Sequence, residues 1–226
     1  MRTNACTVLW TELLTLVPYR RRHVPKYHSW MQSAELQQLT ASEPLTLPQE
    51  YAMQRSWRED DGKCTFIVLD RATYESAADE VAAMIGDVNL FLADGEAGAA
   101  EVEVMIAEQG ARGAGRGRQA AAAMLRYGLE TLRLTRFQVK IGLENEASRH
   151  LFATLGFAEV SRSEVFGEVT CEVHVTPDWR RTVERMCPGY RAETVADGEA
   201  SEPAAAGDEP LTALHGSPNP RDESGS

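Results

Sequence analysis

EVEVMIAEQGARGAGRGRQAAAAMLRYGLETLRLTRFQVKIGLENEASRHLFATLGF, residues 101–157, is the stretch whose reading decides the fold. Glu101–Ala107 alternates acidic and apolar residues, as a half-exposed strand does. A glycine loop follows, Arg112-Gly113-Ala114-Gly115-Arg116-Gly117, and hands over to an alanine-rich helix. That helix carries Ala121, Leu125, Gly128 and Leu132 as one stripe for packing on a sheet. Arg136–Leu143 reads as a second strand, and Ala147, Leu151, Phe152 and Leu155 line one side of a second helix. Gly156 is a natural cap for its C-terminus. A glycine loop between a strand and a helix can bind phosphate without a lysine. The first amides of a helix lack partners, and the dipole end there is positive. A Rossmann dinucleotide loop fits poorly, because Arg118 stands where its third glycine would fall.

Working outward toward the N-terminus, Leu13–Tyr19 reads as the first strand, closed by Pro18 and the basic run Arg20-Arg21-Arg22. Short helices are predicted over Val24–Gln32 and Ala34–Thr40. Thr46-Leu47-Pro48-Gln49 has the outline of a capping box, starting a helix that runs to about Trp57. Lys63–Asp70 and Ile85–Leu92 read as strands, with linkers rich in Ala, Asp and Glu on either side of the second. Phe157–Phe166 and Glu168–Val175 read as a closing pair of strands. The order is that of an α/β fold on a mixed sheet.

From about Pro188 onward Gly, Ala, Pro, Ser and acids dominate, and such a segment buries too little surface to order itself. The expected organisation is a domain over 1–187 and an acidic tail over 188–226. The chain has 226 residues and a formal net charge of −11. Residues 191–226 hold eight acids against two basic residues, a net of −6, which leaves −5 for the rest. No basic patch or stripe marks a nucleic-acid binder. Cys6, Cys64, Cys171 and Cys187 are scattered without metal-type spacing, so free thiols in a reducing compartment are expected and no metal. His23, His28, His150 and His174 show no metal spacing either. The apolar run Val8–Val17 is short, interrupted by Glu12 and followed by no cleavage site, and no run reaches transmembrane length. A soluble, cytoplasmic protein is the expectation, with no membrane and no nucleic acid among its partners.

Two motifs in the decisive stretch resemble a known family. Arg112-x-x-Gly115-x-Gly117 is similar to the Q/R-x-x-G-x-G/A acetyl-CoA signature of the GCN5-related N-acetyltransferases (GNAT). Asn145-x-x-Ser148-x-x-Leu151-Phe152-x-x-x-Gly156-Phe157 resembles their second motif. The two occur in the right order, each on the element the family requires. A narrower resemblance covers roughly residues 13–175 and points to a tubulin-directed branch near the Rim-type ribosomal-protein acetyltransferases.

The resemblance implies an acyl-CoA N-acyltransferase fold, a mixed, mostly antiparallel sheet flanked by helices with splayed central strands. It implies acetyl-CoA as co-substrate, lying between Glu101–Ala107 and Arg136–Leu143. The pantetheine arm would pair with backbone near Met105 and Ile106. The pyrophosphate would rest on amides of Arg112, Gly113, Ala114, Gly115, Arg116 and Gly117, with the two arginines adding charge. Asn145, with Ser148 beside it, would bond the pantetheine, or Asn145 would simply cap its helix. The implied reaction is acetyl transfer to a protein amine, the N-terminal α-amine of tubulin or a similar protein, and the implied partners are such N-termini and microtubules. An α-amine with a pKa of about 7.7–8.0 is partly neutral at physiological pH, whereas lysine near 10.4 is not. Glu103 and Glu101 share one strand face, and either could take the proton directly or through water. The backbone N–H near Met105 is the simplest oxyanion donor.

At Phe152 the sequence departs from the family, many members of which have a tyrosine that protonates the departing thiolate. Tyr127 is a candidate substitute. The departure also allows an alternative reading, a non-catalytic acetyl-CoA- or microtubule-binding protein on the same fold. Trp30, Tyr51 and Trp57 read mainly as packing residues, and Ser42-Glu43-Pro44-Leu45 as the better candidate for touching an acceptor peptide.

Overall fold

The computed structural model describes residues 2–92 and 98–196. One nine-stranded sheet runs through them: β1 (Thr7–Trp10), β2 (Leu14–Pro18), β3 (Lys63–Asp70), β4 (Met84–Leu92), β5 (Ala99–Ile106), β6 (Arg136–Gly142), β7 (Ala158–Ser163), β8 (Glu168–His174) and β9 (Arg191–Thr194). Their spatial order is β7-β8-β6-β5-β4-β3-β2-β1-β9. Neighbours are antiparallel except β5 and β6, which run parallel and are joined by a crossover helix. The mixed, mostly antiparallel sheet expected from the sequence is therefore the sheet observed.

Helices cover both faces. α6 (Arg116–Glu130) and α7 (Glu146–Thr154) pack on one, with α8 (Pro177–Met186), around Phe66, Val88, Val102, Phe137 and Val173. On the other lie α1 (Val24–Trp30), α2 (Ala34–Leu39) and α3 (Leu47–Glu59), whose Tyr27, Trp30 and Leu36 meet Ile67, Leu69 and Met105. Because side chains alternate across a strand, odd-numbered β5 residues point to this second face and even-numbered ones to the first. The capping box starting α3 is formed, with Thr46 and Gln49 bonded as the sequence suggested.

Five strands and α-helices escaped the sequence reading. β1 precedes the expected first strand, from which a tight turn around Thr11–Leu13 divides it. The linker before β4 holds two short helices, α4 (Arg71–Ala77) and α5 (Glu80–Ala83), with N-caps Asp70 and Asp79. α8 starts at a Thr176 cap, and Trp179 and Val183, one turn apart, bury themselves. The Trp179 indole donates to Leu155 O at 2.7 Å and so ties off the end of α7. β9 pairs with β1 from Thr7↔Thr194 to Trp10↔Arg191, although it lies beyond the expected boundary at 187. Segment 188–196 is joined to the sheet because the edge of β1 supplies ladder partners that local composition does not reveal. Residues 197–226 of the expected tail lie outside the described residues. No described helix is long and apolar enough to cross a membrane.

Candidate active site

The ladder between β5 and β6 runs only from Ala99↔Arg136 to Glu101↔Gln138. Beyond Glu101 the strands part, so β5 from Val102 to Ile106 has no β6 partner on that side. This is the splay the resemblance implied, and the glycine loop stands at its wide end.

In the loop, Gly115 is the N-cap of α6 and has φ +78°. Gly113 has φ +77°. L side chains strain in that region, and both positions require glycine. The Arg112 N–H reaches Gln109 O and the Gln119 N–H reaches Gly115 O. Among the described residues, the amides of Gly113 to Arg118 between them meet no backbone acceptor. At Gly117 a Cβ would come within 3.3 Å of Leu151 Cδ1, so the helix start lies tight against α7. These amides and the helix dipole make an anion-binding end.

The arginine side chains do other work than expected. Arg112 donates from Nε to Ile106 O at 2.8 Å and from Nη1 to Glu35 at 2.6 Å, linking the end of β5 to α2. Arg116 is clasped to Asp70 at 2.6 and 2.9 Å. Both guanidiniums are bound within the chain, so the loop offers the backbone amides of Gly113 to Arg118 rather than the arginine charges. Ile106 O is likewise taken by Arg112. Asn145 caps α7, its Oδ1 accepting from the Ser148 N–H at 3.0 Å. Phe152 is buried against Phe157, ring centroids 5.1 Å apart, and presents no polar group. Tyr127 is not a substitute acid: it is buried on α6 beneath the sheet, its hydroxyl donating to Thr3 O at 3.3 Å.

On the other face of the splay stand the acids. Glu101 accepts from Lys140 at 3.0 Å and Gln138 at 3.3 Å, so it bridges β5 to β6 where they separate. Glu103, one pleat further into the splay, opens onto the cleft. Burial by the atoms crowded around it raises its pKa, Glu101 adds to this, and Lys63 and Lys140 oppose it. The two glutamates thus differ: Glu101 is held in an ion pair with Lys140, and Glu103 is in none among the described residues.

Residues the sequence reading passed over lie beside Glu103. The register sets Asn89 of β4 opposite Glu103 and Thr65 of β3 opposite Asn89. Thr65 Oγ1 donates to Asn89 Oδ1 at 2.5 Å, and Asn89 Nδ2 donates to Asp87 Oδ2 at 2.8 Å. Lys63 sits between aromatic rings, its Nζ 3.1 Å from the Trp57 centroid and 4.3 Å from that of Phe91. Burial brings the Lys63 pKa down to about 8 and takes Asp87 up to about 7. A signal existed: Asp87 and Asn89 are the two polar residues of the apolar strand IGDVNLFL, two apart and so on one face. Trp30 and Trp57 pack as expected, while Ser42–Leu45 lies at the surface between α2 and α3. No group of three metal-ligating side chains occurs among the described residues, and their cysteines are free.

A family model described as an acetyltransferase (GNAT) domain matches residues 14–158. The chain is 50% identical to the human alpha/beta-tubulin-N-acetyltransferase 9 over 204 residues, covering 88% of this chain and 99% of that protein. It is 53% identical to the Drosophila melanogaster protein of the same name, over 79% of this chain and 92% of the relative. Among solved structures, spermidine N-acetyltransferase from Vibrio cholerae, in complex with CoA and spermine, superposes with a TM-score of 0.63. The identity there is 19%, with 75% of this chain and 98% of that one covered. The splayed strands, the glycine loop on a helix start and these matches together make the chain a member of the GNAT acetyltransferase family.

Proposed function

We propose that this acetyltransferase uses acetyl-CoA to acetylate the N-terminal α-amine of a protein, with tubulin or a protein of similar N-terminus as acceptor. The observation that carries the acceptor is the 50% identity, across nearly the whole of the human relative, to a protein named for tubulin. The co-substrate is supported by the free amides of Gly113 to Arg118 at the wide end of the splay. They fit a pyrophosphate, and the unpaired edge of β5 near Met105 fits an extended arm that pairs as a strand would. Asn145 and Ser148 flank the same cleft from α7. When bound, acetyl-CoA supplies an acetyl thioester to the acceptor amine.

The chain's own part is to place that amine and take its proton. Glu103 is the base: it faces the cleft, no ion pair holds it among the described residues, and its raised pKa moves it toward the pKa of an α-amine. Glu101 orients the site by tying β5 to Lys140. A backbone N–H of β5 near Met105 is the oxyanion donor. With Phe152 in place of a hydroxyl, thiolate release relies on the low basicity of a thiolate, whose conjugate acid has a pKa of about 8.5.

The test is mass spectrometry of N-terminal and lysine peptides incubated with the protein and acetyl-CoA, beside a calorimetric titration of acetyl-CoA. Acetylation of α-amines in preference to lysine side chains supports the reading. Tight cofactor binding with no turnover on any peptide overturns it in favour of a non-catalytic binder.

A further inference from the structure

We propose that Asp87 acts through Glu103 as the buried carboxyl that receives the acceptor's proton, a positioning residue that does not touch the acceptor itself. The inference rests on the reading of Glu103 as the base. Its own ground is geometric. Asp87 and Asn89 share one face of β4, Asn89 stands directly across from Glu103, and Asp87 is the diagonal neighbour one pleat away. Such diagonal positions lie about 7–8 Å apart along the sheet, within reach of two carboxyl side chains that share a bridging water.

The cluster is notable for what its members do not do to each other. Asp87 is 2% exposed, Asn89 5% and Lys63 7%. Asp87 Oδ2 accepts from Asn89, but the buried Oδ1 has no hydrogen-bond partner among the described residues. A buried oxygen without a partner is destabilising, and such a group in a folded protein calls for a role. Lys63 neutralises part of the charge without occupying Asp87, because the rings of Trp57 and Phe91 hold its ammonium. The charged and titratable groups around Asp87 are Lys63 from β3, Glu103 from β5 and Tyr27 from α1. Tyr19 and Glu50 stand behind Tyr27, with His28 on Glu50.

The step balances as follows. The acceptor ammonium gives one proton to the Glu103 carboxylate. Glu103 passes it to a water, which delivers a proton to Asp87 Oδ1. Glu103 is again a carboxylate, the amine is neutral and ready to attack, and Asp87 is a neutral acid. Asp87 then loses its proton to solvent by the reverse path. Burial raises the proton affinity of Asp87, to a pKa of about 7.

The experiment compares wild type, Asp87→Asn and Glu103→Gln, reading kcat and kcat/KM against pH, melting temperature and acetyl-CoA binding. Asp87→Asn is isosteric and removes a buried charge. Its melting temperature should stay level or rise and its acetyl-CoA affinity should hold, while kcat falls about tenfold or more and an ionisation near pH 7 vanishes from the profile. Wild-type kcat and profile in Asp87→Asn overturn the proposal. So does a loss of activity matched by a loss of melting temperature, which marks a structural role. If Glu103→Gln is itself as active as wild type, it is the reading of Glu103 as base that fails; if Glu103→Gln is inactive and Asp87→Asn is not, only the relay fails. A second readout needs no turnover: infrared titration of the neutral Asp87 carboxyl in the resting protein. Its midpoint should fall in Glu103→Gln, which removes a nearby negative charge, and an unmoved midpoint overturns the coupling.

Discussion

Two charge clusters lie on the side of the sheet that carries α1–α3, and they are built in opposite ways. Around Glu80, the carboxylate is answered on two sides. Arg22 donates to its Oε2 at 2.6 and 2.9 Å. His23 Nδ1 accepts the Arg20 N–H, which leaves Nε2–H to donate to Glu80 at 2.8 Å. Burial lowers the His23 pKa, so this is a neutral imidazole bonded to a carboxylate. Around Glu103 and Asp87, by contrast, carboxyls stand near one another with no mutual hydrogen bond and one oxygen left over. The first cluster ties residues 22 and 23, just before α1, to the start of α5. The second retains unsatisfied proton affinity beside an open cleft. A closed network holds structure, and an open one is available for chemistry.

Neutralising the central acid of each cluster should therefore give opposite results. The largest effect is expected from Glu103→Gln, with kcat lower by about 10²-fold or more and little change in melting temperature. In wild type the base must be ionised, so kcat/KM should rise with pH through a pKa above the ordinary carboxylate value of 4.5. A Glu103→Gln enzyme with wild-type kcat would erase the functional half of the comparison. Next in size, Glu80→Gln should cost about 1.5–3 kcal/mol in chemical denaturation while kcat per folded molecule is kept. The pH dependence carries the same contrast. Burial alone would raise the Glu80 pKa, but the His23 and Arg22 hydrogen bonds bring it down to about 2. Its folded value lies below its unfolded one, so its stabilisation is present above about pH 4.5 and is lost as pH falls toward 2.

A smaller effect separates cofactor from proton transfer. Gly115→Val forces a β-branched residue to φ +78°, at a cost of about 1–2 kcal/mol, and should weaken acetyl-CoA about tenfold by calorimetry. The pH profile of its residual activity should keep its shape, because the loop takes no part in moving the proton. The smallest effect is on the stability of Asp87→Asn. The folded pKa of Asp87 is raised by burial to about 7, so native Asp87 loses stability as pH rises through 7. The variant should overtake wild type in melting temperature above that pH, and equal slopes for both proteins on either side of pH 7 would show that the cluster is as closed as the one at Glu80.

The two parts of the site were unequally legible. The glycine loop could be read because it works through backbone: positive φ and unpaired amides at a helix start need glycine at fixed positions, and fixed positions show in a sequence. Its arginines were misread as free charges, because nothing local says that Arg116 meets Asp70 or that Arg112 meets Glu35, 77 residues away. Glu101 and Glu103 were legible as a pair sharing a face. That one is tied to Lys140 and the other left open depends on where β5 and β6 stop pairing. Lys63, Asp87 and Asn89 became part of the site through cross-strand register alone.

By itself the sequence determined the strands and helices of residues 101–157, the face on which each side chain falls, and a glycine loop at a helix start, suited to an anion. Period and glycine placement are local, and local rules act on a single chain segment. Tertiary structure alone decided that 191–194 would join the sheet, that Tyr127 would be buried, and that a lysine, an aspartate and an asparagine from two other strands would gather beside Glu103. Those outcomes turn on burial and strand registry, and both exist only once distant segments are packed together.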